Sequence, residues 1–326
     1  MKVFLTGASG FIGTNIVAEL KRRGIEALNY DWVEPARGED RDLWTRGDLM
    51  DPGVLVKSMR GFQPDVVIHL AARTDCDENT TVEEGYQVNT TGTANLLEAV
   101  KSCPSTERLI VTSSQYVCGP GRQPANDEDY FPHTVYGWSK VETEKLVRAA
   151  GLSCTWTLIR PVNIWGPYHA RYSDEFWKIA AAGLYFHPNV PAPTRTYGYI
   201  GNVVWQIMGL LDAPAEKVNG KVFYVGDQPI TIDRWSIGFC KALRGKEPPR
   251  IPLLVMKILA KIGDLISVVI RRPFFITSSR LKSMTADYLS PIDRTVDLLG
   301  ESPYSLDEGI SETARWYMER RKTGSR

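Results

Sequence analysis

An excess of charge of one sign is missing from this chain of 326 residues. Lysine and arginine number 39 against 38 aspartates and glutamates, a formal net charge of +1. A general nucleic-acid binder carries a basic surplus, so no nucleic-acid partner is expected. A local basic pocket for a phosphorylated substrate remains compatible with that balance. Cysteine is scarce and unpatterned. Cys76, Cys103, Cys118, Cys154 and Cys240 form an odd set with no C-x-x-C. That argues against a disulfide framework and a structural zinc site. The four histidines, His69, His133, His169 and His187, show no H-x-x-x-H spacing, and no metal is expected.

Long apolar runs are missing too. The nearest, 251–270, is interrupted by Lys257, Lys261 and Asp264, so no integral membrane segment is expected. Met1-Lys2-Val3-Phe4-Leu5-Thr6 runs directly into glycines, not into an apolar leader with a cleavage site. A reducing cytoplasm is the expected location.

What is present is an alternation. Short apolar runs at 3–5, 25–30, 65–70, 108–112 and 155–159 read as strands. Between them, 11–23, 90–101 and 134–150 read as helices, the first with Ile12, Ile16 and Leu20 on one face. Near-continuous apolar strands separated by helices predict an α/β fold: a doubly wound, Rossmann-type parallel sheet covered on both faces. After Arg160-Pro161, proline and aromatics become dense, and one further strand is expected at 221–225. The expected organisation is a first, sheet-bearing domain over 1–165, with returning segments near 203–211 and 218–245. A smaller, mostly helical substrate lobe is expected over 166–202 and 246–326.

The first strand and helix are joined by Thr6-Gly7-Ala8-Ser9-Gly10-Phe11-Ile12-Gly13. Gly7, Gly10 and Gly13 make a G-x-x-G-x-x-G between a strand and a helix. With no side chains in the way, backbone N–H groups of this loop, through Phe11 and Ile12, reach a pyrophosphate at the positive helix end. Asp31 follows the second strand, where a carboxylate accepts hydrogen bonds from an adenosine ribose and repels a 2′-phosphate. NAD is therefore favoured over NADP. Arg37 stays open as the residue that would accommodate that phosphate.

Tyr136-Gly137-Trp138-Ser139-Lys140 is a Y-x-x-x-K. On a helix, positions i and i+4 share a face, so phenol and ammonium meet one pocket. The ammonium and a cationic nicotinamide would both favour phenolate, and lowering tyrosine from ~10 to ~7 takes about 4 kcal/mol. Thr112-Ser113-Ser114 ends the fourth expected strand, at the sheet edge where ligands of such folds lie.

Together these residues resemble an extended short-chain dehydrogenase/reductase of the NAD-dependent nucleotide-sugar epimerase and dehydratase group. The resemblance rests also on Gly47-Asp48-Leu49, His69-Leu70-Ala71-Ala72, Asn89-Thr90-Thr91-Gly92-Thr93, Ser113-Ser114-Gln115-Tyr116-Val117-Cys118-Gly119 and Arg160-Pro161-Val162-Asn163-Ile164-Trp165-Gly166-Pro167. A C-terminal segment, 298–316, follows the group's order of L-G, a proline and L-x-E-G. The resemblance implies that Asp48 and Leu49 adjoin adenine, and that Leu70, Ala71, Ala72, Asn89 and Thr112 border the cofactor. It makes Ser114, Tyr136 and Lys140 catalytic, with the latter two also touching the cofactor. Ser114, Asn163, Arg195 and Arg280 would contact a nucleotide-diphosphate sugar. It implies a homodimer.

Cys118 and Trp165 stand where the group usually has tyrosines. Gln115 and Tyr116 stand where members that eliminate water or carbon dioxide place acidic groups, which disfavours those reactions. The resulting expectation is an epimerase-type enzyme moving a hydride at a sugar carbinol, C4. The alternatives are a nucleotide-sugar ketoreductase or dehydrogenase, a hydroxysteroid or natural-product dehydrogenase, and a catalytically silent dinucleotide sensor. The apolar stretch 251–276 stays open as a substrate cover or a membrane contact.

Overall fold

Val3, Phe4 and Leu5 are each wholly buried, so both faces of their strand are covered. That strand, β1 (Lys2–Thr6), lies inside the sheet. It pairs in parallel with β2 (Glu26–Asp31) on one side, and β2 with β3 (Trp44–Arg46). On the other side it pairs with β4 (Val66–His69), followed outward by β5 (Arg108–Thr112), β6 (Thr155–Pro161) and β7 (Lys221–Val225). The seven strands are all parallel, in the order β7-β6-β5-β4-β1-β2-β3. The order reverses between β1 and β4, the switch point outside whose carboxyl edge ligands of such sheets lie. The structure is a computed structural model that describes residues 1–270, 274 and 276–323. Residues 271–273 and 275 of the apolar stretch, and 324–326 of the expected second lobe, lie outside the described residues.

The helices follow from apolar spacing and end chemistry. Phe11–Arg22 buries Ile16, Val17 and Leu20 and ends on Lys21 and Arg22, whose charge suits the negative helix terminus. Pro52–Phe62 starts where the Asp51 side chain accepts from the Val54 N–H, with proline in the first turn. Val135–Ala149 starts where Thr134 accepts from the Gly137 N–H at 2.9 Å. This last helix buries a largely polar stripe, including Tyr136, Lys140, Thr143 and Glu144. A polar stripe survives burial only when its groups find partners, and those partners make the site below.

Two compact units emerge. The first comprises Met1–Ile164, Ile200–Gly226 and Pro291–Pro303 and holds the whole sheet. Its core joins Phe4, Tyr30, Leu55, Met59, Leu96 and Leu158. The second comprises Trp165–Tyr199, Asp227–Ser290 and the described residues of Tyr304–Arg326. Its centre is aromatic: the Tyr197 and Trp235 rings stack at 5.2 Å, and Trp165 meets Phe239 edge-on at 5.4 Å. The boundaries differ from those read in the sequence. The Ile232–Arg244 helix packs on Leu306–Thr323 and joins the second unit, where the sequence reading has it returning to the first. At Gly238, an added Cβ would fall 2.6 Å from Ile310 of that neighbour. Conversely, Asp293–Leu299 lies against β7 and joins the first unit. Strand β3 and the Pro52–Phe62 helix were also not among the expected elements.

Candidate active site and dinucleotide cradle

The turn after β1 is built on a close approach. Gly7 has φ +71°, and a Cβ there would lie 2.5 Å from the Ala71 backbone. A Cβ on Gly13 would lie 2.3 Å from the Ala8 Cα. A larger residue at Gly7 would force the ends of β1 and β4 apart, and one at Gly13 would push the loop away from the helix. Gly10 precedes the Phe11–Arg22 helix and gives it no side-chain cap, at the helix end whose backbone N–H groups have no intrahelical acceptors. This open cradle fits a pyrophosphate.

Asp31 ends β2 and is almost wholly buried. Its Oδ2 accepts from the Ser9 N–H at 3.0 Å and its Oδ1 from the Val33 N–H at 3.1 Å. The carboxylate is thereby fixed directly beside the glycine loop. Arg37, the alternative 2′-phosphate partner, is engaged with Glu39 and Asp40. Asp48 accepts from the Met50 N–H at 2.9 Å, and buried Leu49 gives its carbonyl to the Asn95 amide at 2.8 Å. Leu70 donates its N–H to Thr6 O at 2.9 Å, which brings the 70–72 segment against the loop.

Ser114, Tyr136 and Lys140 are all nearly buried within the first unit. The Lys140 ammonium donates to the Thr112 carbonyl at 2.8 Å. Burial pulls its pKa down to about 8, against the opposing attraction of Glu144. The Thr112 hydroxyl beside it is buried and has no hydrogen-bond partner among the described residues, an acceptor and donor left over for a ligand. Ser114 Oγ accepts from the Tyr116 N–H at 3.2 Å. Tyr136 lies between aromatic rings, with Tyr116 at 5.8 Å and Tyr86 at 6.2 Å.

One expectation, a phenol lowered by Lys140 and a cationic nicotinamide together, is not met by the protein's own groups. Burial pushes the Tyr136 phenol well above its ordinary value, and the Ser114 hydroxyl only partly offsets this. The cause is physical: the phenol is desolvated among rings, while the Lys140 ammonium is directed at a carbonyl. The protein's own groups therefore hold the phenol neutral.

Behind these residues lies a layer that the motifs do not announce. Glu144 and Arg160 are both buried and form a two-pronged pair, Nε to Oε1 and Nη2 to Oε2, each 2.8 Å. Glu144 also accepts from the Ser113 hydroxyl at 2.5 Å and from the Tyr130 hydroxyl at 3.0 Å. Arg160 also donates to the Tyr224 hydroxyl at 3.0 Å and the Asp127 carbonyl at 2.6 Å. Glu144 stands four residues after Lys140 on the same helix face, the one signal available in the sequence. His69 is hydrogen-bonded to Thr6 and Thr93 at 2.6 and 3.1 Å. Burial, with Lys140 nearby, pulls its pKa down to about 3, so its ring is neutral.

Asn89, expected at the cofactor, spends its side chain on the protein. Its amide donates to Arg73 O and Ser139 Oγ, and its carbonyl accepts from the Arg73 N–H. It straps the 70–73 segment to the Val135–Ala149 helix. Asn163 follows β6 and is half-buried. In the second unit, Arg195 donates to the Ser283 and Ala286 carbonyls at the end of the Ser278–Thr285 helix. Arg280 donates to Glu175 at 2.8 Å. Among the described residues, no group of His, Cys, Asp and Glu is arranged to hold a metal ion. No described helix is long and apolar enough to cross a membrane.

A parallel sheet with a glycine turn at its switch point defines a dinucleotide-binding fold. Residues 3–226 match the family model described as the NAD dependent epimerase/dehydratase family, and the chain belongs to that family. NAD is the family's cofactor. The chain is similar to an Escherichia coli O157:H7 N-acetyl-alpha-D-glucosaminyl-diphospho-ditrans,octacis-undecaprenol 4-epimerase. The two are 26% identical across 96% of this chain and 94% of the relative. A 3-beta-hydroxysteroid dehydrogenase from Mycolicibacterium neoaurum is 32% identical across 71% of this chain and 67% of the relative. Among solved structures, a Bacillus cereus UDP-glucuronic acid 4-epimerase in complex with UDP-glucuronic acid and NAD matches with TM-score 0.75. It is 21% identical and covers 98% of this chain and 99% of that one.

Proposed function

We propose that this protein is an epimerase-type enzyme acting by hydride transfer at the C4 carbinol of a nucleotide-diphosphate sugar. The observation that carries the reading is the burial of Ser114, Tyr136 and Lys140 together at the carboxyl edge of β5, in the unit that holds the glycine cradle. Gly7, Gly10, Phe11, Ile12 and Gly13 hold the pyrophosphate, and Asp31 the ribose. Asp48 and Leu49 adjoin the adenine. Leu70, Ala71, Ala72 and the unpartnered Thr112 hydroxyl line the rest. NAD, when bound, supplies a hydride acceptor and the positive charge of its oxidised ring.

The chain's own residues handle the proton. Ser114 Oγ donates to the sugar oxygen and orients it, and the Tyr136 phenolate takes the hydroxyl proton. Lys140 donates to ribose hydroxyls with the protons its Thr112 bond leaves over. Asn89 acts one step back, holding the 70–73 segment against the catalytic helix. Asn163 and Arg195 are proposed substrate contacts on the family pattern, Arg195 after exchanging its carbonyl partners for phosphate oxygens. Arg280, committed to Glu175, is the weaker of the two arginines in this role.

In an epimerisation the oxidised sugar carbon stays in the site and is reduced on its other face. In a net oxidation it leaves. The 32% likeness to a 3-beta-hydroxysteroid dehydrogenase favours a second reading, dehydrogenation of a hydroxysteroid by the same three residues. A screen of nucleotide sugars and 3β-hydroxysteroids, read by NADH absorbance and product analysis, separates them. Conversion of a nucleotide sugar without net absorbance change supports epimerisation. Stoichiometric NADH from a steroid, with every nucleotide sugar inert, overturns it.

A further inference from the structure

Leu253–Ile270 is an 18-residue helix of the second unit, and one of its faces is docked. Met256 and Ala260 are buried in a cluster with Ile276 and Leu281. At Gly263 an added Cβ would fall 1.8 Å from the Ile276 carbonyl, so the helix backbone lies hard against that segment. The opposite face is as apolar as the docked one. Leu254, Ile258, Ile262, Leu265, Val268 and Val269 are 50–76% exposed. Several recur at i, i+4, i+8 and i+11, which stacks them on one outward ridge. Isolated exposed hydrophobics are ordinary, but a contiguous ridge along a whole helix marks an interaction surface.

We infer that this outward face docks the protein on an anionic lipid surface, with the helix lying in the plane of the interface. Charge selects this occupant. Lys257 and Lys261, both exposed, flank the ridge along one side. Their alkyl stems extend along apolar surface while the ammonium groups reach phosphates. The helix has one acidic residue, Asp264, and it is turned away from the ridge. Its carboxylate accepts from the Ser278 N–H at 3.0 Å and the Ser278 hydroxyl at 2.5 Å. A second copy seated antiparallel on this face across a two-fold axis would bring like lysines to the same side, with no ridge carboxylate on this helix to offset them. Three charges within 18 residues, and a docked inner face, make this a helix that lies on a bilayer instead of crossing it.

The test is flotation of the full chain with two kinds of vesicle, phosphatidylcholine alone and phosphatidylcholine mixed with phosphatidylglycerol. The expected result is cofloating with the mixed vesicles, weakened by salt, and much less with the neutral ones. Leu265→Asp and Ile258→Asp should each lower partitioning about tenfold or more. Lys257→Ala and Lys261→Ala should each lower it about fivefold, equivalent to about 1 kcal/mol per lysine near the surface. All four positions point outward, so circular dichroism and NAD calorimetry should be unchanged. The lysine variants keep the apolar face and still decide the matter if an aspartate variant misfolds. The inference is overturned if the chain stays in the aqueous fraction with both vesicles. It is equally overturned if light scattering finds a dimer that Leu265→Asp converts to monomer without any vesicle binding, which would assign the ridge to a second copy.

Discussion

In the proposed mechanism Tyr136 has to give up a proton that its surroundings hold in place. Its phenol is buried among Tyr86 and Tyr116, and burial raises its pKa. Positive charge must arrive before it can act, so cofactor binding and proton transfer are coupled at this residue. Tyr136→Phe should therefore lower turnover by about 10²–10⁴-fold while NAD binding by calorimetry stays within a few-fold. Near-normal turnover would remove Tyr136 from the mechanism. Asp31 makes a separate demand. Its two backbone hydrogen bonds fix a negative charge beside the cradle, so Asp31→Ser should weaken NAD and improve NADP in relative terms. Tighter binding of NADP than NAD by the unaltered protein, measured by titration calorimetry, would move the ribose assignment away from Asp31. His69 links the site to acid stability. Its folded pKa, about 3, lies below the ordinary 6.5. Unfolded chains then bind the extra proton first, so the stability it contributes is complete above about pH 6.5 and is lost as pH falls towards 3. His69→Asn should flatten that slope in urea denaturation followed across pH.

Among the elements, the Val135–Ala149 helix departs furthest from ordinary amphipathic construction, because its buried stripe is polar. Glu144 and Arg160 are the reason this is tolerated, each satisfying the other through two short bonds. Removing one partner leaves a buried, unpaired charge. Arg160→Met or Glu144→Leu should cost about 3–5 kcal/mol in urea denaturation, and the double variant should recover much of it. Additive losses would show that the pair is not coupled. The central strands and the Y-x-x-x-K helix were readable in the sequence because each is a local pattern. Edge strand Trp44–Arg46 was not, since three residues carry no periodicity and its place depends on pairing with β2. Pro52–Phe62 escaped because proline and two glycines interrupt a helix that buries only Leu55 and Met59. At the site, the glycine turn and Asp31 were visible as spacing. The Glu144–Arg160 pair and the Asn89 strap were not, because sheet register and packing bring their partners together from distant positions. The phenol's raised pKa was hidden for the same reason: burial is a property of the fold.

Taken whole, the chain has almost no net charge with which to attract a dianionic diphosphate. Local cations must do this, and Arg195 is the proposed one because its planar fork matches phosphate oxygens. Arg195→Ala should raise KM for a nucleotide sugar by roughly 10- to 150-fold, the equivalent of about 1.5–3 kcal/mol for a charge-assisted hydrogen bond. NAD affinity should be nearly unchanged. An unaltered KM would mean that Arg195 serves only the Ser283 and Ala286 carbonyls, and would advance the steroid reading. The division into units also has a consequence for synthesis. The sheet-bearing unit is assembled from three stretches of chain, the last being Pro291–Pro303. A ribosome releases β1 to β6 early, but β7 and the helix that lies against it arrive far later. Until then β6 presents an open parallel edge, the kind of unpaired strand that recruits wrong partners. The nascent chain is therefore most exposed to misassembly in the interval between residues 161 and 225, and a ribosome stalled there should hold a protease-sensitive intermediate that carries the glycine cradle but has not completed its sheet.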